Sequence, residues 1–140
     1  MSIKYFNEDV PLPKIKKRRT SNWIKETILL EEKIVGDVSF IFCSDNYLLE
    51  VNKKYLTHDY YTDIITFDYV EGELISGDIF ISTDRVKENA KEFSTTTENE
   101  LNRILLHGIL HLLGYKDKIK KDKEFMTSKE DYYLNVLNVS

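Results

Sequence analysis

The stretch that most constrains this chain is Ile104-Leu105-Leu106-His107-Gly108-Ile109-Leu110-His111-Leu112-Leu113-Gly114-Tyr115-Lys116-Asp117. Its polar skeleton is His-x3-His-x2-Gly-x2-Asp. It is apolar nearly all round, so a helix built from it must be central and buried. Histidines four apart on a helix lie one turn apart on one face, and both imidazoles can reach one metal ion. Gly114 is the residue type that ends a helix in the left-handed conformation, after which the chain can return Asp117 to the same ion. Two nitrogens, one carboxylate oxygen and an open position for water describe a catalytic zinc site. The alternative is a pair of core histidines with no ion. Against it, two of the chain's three histidines fall here, a buried helix must give its histidines partners, and Asp117 falls where a third ligand is needed. Zinc peptidases carry Glu directly after the first histidine as general base. Here that position is Gly108, which places peptidase chemistry below other hydrolysis.

A chain of 140 residues suits one domain, residues 1–140. With 41% apolar and 12% aromatic residues it is too hydrophobic for disorder. The net charge of -4 gives no global basic field, so any nucleic-acid contact is expected from local patches. The single cysteine, Cys43, excludes an intrachain disulfide and fits a reducing cytoplasm. It ends an apolar run, as a small core residue does. No signal peptide and no run of the ~20 apolar residues that span a bilayer is visible. The expectation is a cytoplasmic protein with no membrane partner and no organic cofactor.

Taken in order, Ile3–Phe6 reads as a strand, Lys14–Glu32 as a helix and Val35–Cys43 as a strand. Arg19 interrupts the apolar stripe of that first helix. The cluster Lys14, Lys16, Lys17, Arg18 and Arg19 reads as a solvated face, or alternatively a phosphate-contacting patch. Ser44 caps a helix Asp45–Tyr55 with Tyr47, Leu48, Val51 and Tyr55 inward. His58 falls in a loop and reads as a surface histidine. Thr62–Tyr69 and Leu74–Ser82 form a hairpin of strands, with Gly77 marking a bulge or a close backbone approach. Asp63 and Asp78 lie inside these runs and are not assigned as ligands. Thr83–Phe93 is a helix with Val86, Ala90 and Phe93 inward. Thr97 and Glu100 form a capping box opening the helix Glu98–Leu113. A last helix, about Asp122–Leu137, presents Phe125, Met126, Tyr133, Leu134 and Leu137. The order β-α-β-α-β-β-α-α-α predicts an α/β fold: a mixed sheet of about four strands covered by helices, with the metal site on a central buried helix.

His107-Gly108-Ile109-Leu110-His111-Leu112-Leu113-Gly114-Tyr115 resembles the H-G-x-L-H-L-x-G-Y signature of the YbeY family of endoribonucleases. Asn52-Lys53-Lys54-Tyr55, Thr62-Asp63-Ile64-Ile65-Thr66-Phe67 and Gly77-Asp78-Ile79 resemble its N-x-x-Y, T-D-V-L-S-F and G-D-I segments. Glu124, Met126 and Glu130 echo its C-terminal helix. The resemblance implies a metal-dependent, single-strand-specific endoribonuclease acting in 16S rRNA 3′-end maturation and ribosome quality control. It implies one Zn²⁺ per chain, and single-stranded rRNA and the small ribosomal subunit as partners.

Two positions depart from that pattern. The family signature usually continues G-Y-D-H, and Asp117 stands where its third histidine would be. The metal role carries over to Asp117, so the ligand set is His107, His111 and Asp117. The family often has arginine after N-x-x-Y; here it is Leu56, and Lys53, Lys54 and Lys116 are the candidate RNA contacts in its place. With Gly108 after the first histidine, this helix supplies no general base, which predicts slow turnover. Metal-activated water and the RNA 2′-hydroxyl are both open as nucleophile. The rival readings are a ribosome-assembly binding factor with a structural metal and, lower, a small metallopeptidase.

Overall fold

Alternating apolar residues and turn chemistry build a four-stranded sheet. The computed structural model describes residues 2–139. In chain order the elements are β1 (Ile3–Asn7), α1 (Lys17–Leu30), β2 (Ile34–Cys43), α2 (Asp45–Leu56), β3 (Ile64–Asp68), β4 (Leu74–Ser82), α3 (Thr83–Glu92), α4 (Thr97–Leu112) and α5 (Lys120–Val139). The sheet order is β1-β2-β4-β3. β2 runs parallel to β1 and β4, and β3 runs antiparallel to β4. The order of elements and the mixed sheet agree with the sequence reading.

Both faces of β2 are buried, although only one looked fully apolar. Val38, Phe40 and Phe42 lie in the main core against α1, α4 and α5. On the other face Cys43 joins Leu48, Val51 and Ile65 in a smaller cluster under α2. A sheet with parallel pairs is ordinarily covered on both sides, which is why the mixed face is also dry. Burial, with smaller pushes from nearby carboxylates, raises the Cys43 thiol to about 12. It is a core residue and no nucleophile.

α4 runs through the main core. Leu101, Ile104, Leu105, Leu106, Ile109, Leu110 and Leu112 are all buried. The helix lies close to the sheet because both surfaces carry glycine at the contact. A Cβ on Gly77 would come within 2.8 Å of a Leu112 methyl, and one on Gly108 within 2.9 Å of two Ile79 methyls. Gly77 thus marks a close approach; the bulge lies between Val35 and Val38 in β2. α1 and α5 are pinned together by the buried bond from Trp23 Nε1–H to the Tyr133 carbonyl, 2.8 Å. Arg19 interrupts the α1 stripe because its guanidinium donates to the Leu137 carbonyl near the C-terminal end of α5. Among the described residues, no helix is long and apolar enough to cross a membrane.

Several local expectations are corrected. α1 begins at Lys17, not Lys14, because Val10, Leu12 and Ile15 pack onto the core from a non-helical connection. Lys14, Lys16, Lys17 and Arg18 are exposed along it. Thr96, not Thr97, is the N-cap of α4, its hydroxyl accepting from the Asn99 amide. Glu100 is thereby one position beyond the capping box and is buried. Phe93 caps the end of α3 and is 65% exposed, and Phe125 and Tyr55 also face outward. Ser44 caps α2 as expected.

The Gly108 contact predicts that Gly108→Glu, the peptidase-like residue, destabilises the metal-free protein by about 3 kcal/mol or more, through overpacking and a buried unpaired carboxylate. Urea unfolding of both proteins in chelator checks this; an unchanged midpoint would show that the contact is slack.

Candidate metal centre

The local geometry of the site follows from how α4 ends. His111 lies in the last turn of the helix, one turn after His107. Gly114 takes φ +102°, which L side chains rarely adopt. The amide of Gly114 then bonds the His111 carbonyl, and that of Tyr115 bonds the Leu110 carbonyl, both at 3.0 Å. This paired closure satisfies the last helical carbonyls and turns the chain back. Asp117 arrives against both histidines.

The three ligand atoms form a nearly equilateral triangle. The two Nε2 atoms are 3.0 Å apart, and Asp117 Oδ2 lies 3.1 Å from His107 Nε2 and 3.5 Å from His111 Nε2. Bonds of 2.0–2.1 Å to a tetrahedral zinc would separate neighbouring ligands by about 3.3 Å. The residues therefore fit such an ion with three sides of the tetrahedron filled. Among the described residues this is the one group of histidine, cysteine or acidic side chains close enough to hold an ion.

Outer contacts decide which ring atoms face the centre. His111 Nδ1 lies 3.1 Å from the Tyr115 carbonyl, which can only accept, so His111 carries its proton there. His107 Nδ1 lies 2.6 Å from Glu130 Oε2 and donates to it. In their neutral forms both rings then turn lone pairs, not protons, toward Asp117. Three acceptors converging on one point repel each other unless a cation lies between them. A ligating histidine with its other nitrogen on a carboxylate or carbonyl is the usual second layer of a zinc site. Glu130 is itself held: Arg103 donates to its other oxygen at 2.8 Å and to Asp131 at 2.7 Å. Behind Tyr115, the Glu31 carboxylate accepts from the hydroxyls of Tyr115 and Tyr133 and pairs with Lys129.

The electrostatics separate the two rings. Burial disfavours the charged form of His107, but the hydrogen bond and charge of Glu130, with Asp117 and Asp63, raise its pKa above the ordinary value. His111 is lowered, by burial and then by the neighbouring His107 charge.

His107 and Asp117 open onto a cavity of about 380 Å³, whose walls include Asp63, Asn89, Glu100, Arg103 and Lys123. The remaining candidates lie elsewhere. Lys53 is on α2 with its ammonium 3.6 Å from both Glu50 and Asp59, and Lys54 lies over the Tyr55 ring. Lys116 is exposed beside Asp117. His58 stacks on Tyr60 and bonds its hydroxyl, away from the centre. Leu56 ends α2 and is partly exposed. Asp78 accepts from Tyr69 on the sheet. The sequence reading gave Arg103 no role, Glu100 only a capping role and Glu130 only a place in the last helix, and none of the three a part in the site. The available signal was an acid within the apolar stripe Met126, Glu130, Tyr133, Leu137, whose spacing puts Glu130 on the inward face of α5.

A model of the family described as Endoribonuclease YbeY matches residues 4–138. The chain belongs to the YbeY endoribonuclease family. A YbeY endoribonuclease of Parabacteroides distasonis is 53% identical over 137 residues, 98% of this chain and 96% of its own. One from Bacteroides fragilis is 52% identical over 134 residues, 96% of each chain. A solution structure of a Thermotoga maritima protein superposes with a TM-score of 0.68 at 30% identity, covering 96% of this chain and 88% of its own. The YbeY resemblance read from His107 to Tyr115 thus extends along nearly the whole chain.

Two predictions follow from the outer contacts. Glu130→Gln should weaken metal affinity about 10–100-fold, read by competition with a chromophoric chelator; unchanged affinity would mean Glu130 does not orient His107. Protons compete with metal at His107, whose raised pKa makes it take up a proton before an ordinary histidine does. Metal affinity should therefore begin to fall, as pH is lowered, above the usual value of ~6.5. An onset well below that value would contradict the raised pKa.

Proposed function

We propose that this chain is a single metallohydrolase domain that cleaves single-stranded RNA internally, using one Zn²⁺ held by His107, His111 and Asp117. The observation that carries this reading is the convergence of three lone-pair donors whose ring tautomers are fixed from behind by Glu130 and Tyr115. Its relatives in Parabacteroides distasonis and Bacteroides fragilis are endoribonucleases by name. By the same family reasoning the substrate is 16S rRNA at its 3′ end, on or beside the small ribosomal subunit, in the cytoplasm, with a role in ribosome quality control.

When bound, a zinc ion lowers the pKa of a water and polarises a phosphodiester oxygen. The protein's own groups hold and orient. His107 and His111 keep their protons on Nδ1 and present Nε2. Asp117 supplies an oxygen and a negative charge. Asp63 and Lys123 line the cavity onto which His107 and Asp117 open. α4 offers no general base, because the position after His107 is the glycine that lets the helix lie against Ile79. The attacking oxygen, from water or from the RNA 2′-hydroxyl, therefore loses its proton without a carboxylate from that position, and turnover is slow. Lys53, Lys54 and Lys116 are proposed to meet phosphates outside the cavity, since Leu56 offers no charge.

Leu56 also favours a second reading, a ribosome-assembly binding factor with a structural metal and little cleavage. Purified protein assayed on single-stranded RNA separates the two. Endonucleolytic cleavage that disappears in His111→Ala supports the nuclease; a zinc-loaded protein that leaves RNA intact supports the assembly factor.

A further inference from the structure

Glu100 has no assigned task. It is 9% exposed, yet its carboxylate makes no hydrogen bond and no ion pair among the described residues, and its oxygens are not sealed from the adjoining cleft. A buried carboxylate without partners costs stability and is kept only where something else compensates. Its surroundings add to the cost. Burial raises its pKa, the field of Arg103 pulls it down, and Asp63 and Glu130 push it up.

Its position gives it an occupant. Glu100 precedes His107 by seven residues, two helical turns on the same face, or about 10.5 Å along the axis. It lines the metal-side cavity and also a larger groove of about 700 Å³ between α4 and α5. The two spaces share Phe93, Glu100, Arg103, Thr127 and Glu130, so the groove continues from the metal centre. Its outer walls carry Asn102 and Asn135, whose amides make no hydrogen bonds among the described residues. Phe93, which lines both spaces, is 65% exposed. An open phenyl face and free amides suit a nucleobase, which stacks and hydrogen-bonds. Phosphate does not suit the groove: the one guanidinium, Arg103, is already paired to Glu130 and Asp131. A carboxylate reads a donor, as acidic side chains do with the amino group of cytosine.

We propose that Glu100 is a specificity residue that accepts a hydrogen bond from a nucleotide neighbouring the one cut, at a base amino group or a ribose 2′-hydroxyl. The proposal rests on the RNA-cleaving reading above and deepens it.

The test compares zinc-loaded wild type with Glu100→Met, which fills similar space without the charge. Substrates are short uridine oligonucleotides with a single cytidine moved through the positions flanking the cut, or a single 2′-deoxyuridine moved through the same positions except the nucleotide whose own 2′-hydroxyl adjoins the cut phosphate. Thermal midpoints are measured on the same samples. Wild type should cut about tenfold faster with cytidine at one fixed offset if a base amine is read. If the ribose is read, 2′-deoxyuridine at that offset should slow it about tenfold. In the variant either effect vanishes, while cleavage of the plain uridine substrate persists and the thermal midpoint rises by a few degrees. The rise distinguishes a reading residue from a structural one. The same offset preference in the variant, absence of any preference in wild type, or a lower midpoint overturns the role of Glu100. Wild type that cuts none of these RNAs overturns the nuclease reading itself.

Discussion

The structure depends on how tightly α4 lies against the sheet. Glycine at Gly77 and Gly108 removes the two side chains that would hold the helix off. The helix then buries its leucines and isoleucines against Ile75, Ile79 and Ile81 in one core. Such a contact leaves α4 little freedom to rotate, because a densely packed interior resists small shifts. His107 and His111 take their orientation from that fixed helix. The same contact accounts for what the site lacks. A glutamate after His107 would place its Cβ 2.9 Å from two Ile79 methyls, so the residue that serves as general base in zinc peptidases would have to displace Ile79.

The site is layered outward from the three side chains that could hold an ion. Glu130 and the Tyr115 carbonyl set the imidazole protons. Arg103 fixes Glu130, and Glu31 ties Tyr115 to α5 through Tyr133 and Lys129. α5 therefore acts in two capacities: Met126, Tyr133 and Leu137 pack the core, and Glu130 between them holds the His107 ring. This explains how a net-negative chain can carry an RNA-directed centre. Beside the three candidate ligands, Glu130 is committed to His107 and Arg103 and Asp131 to Arg103, whereas Asp63 and Glu100 make no side-chain hydrogen bond or ion pair among the described residues.

Much of this was legible in the sequence. Spacing alone placed His107 and His111 on one face and Asp117 after a glycine turn, and the structure brings those three together. Strand alternation and the order of the runs predicted the mixed sheet. Edges were harder: Thr96 and Thr97 are chemically equivalent caps, and only the helix start decides between them. Phe93 and Phe125 misled because hydrophobicity says a residue can be buried, not that a neighbour is there to bury it. Glu130, Arg103 and Glu100 were missed for a different reason. Their tasks come from contacts between α4 and α5 more than twenty residues apart, or from the absence of a contact, and no local pattern encodes either.

The most direct measurement is elemental analysis of the purified protein combined with X-ray absorption at the zinc edge. The expected result is about one zinc per chain, with two imidazole nitrogens at about 2.0–2.1 Å and the remaining ligands oxygen. Protein that takes up no zinc even when it is supplied, or zinc bound without two imidazoles, would contradict the central claim that His107, His111 and Asp117 form the working centre.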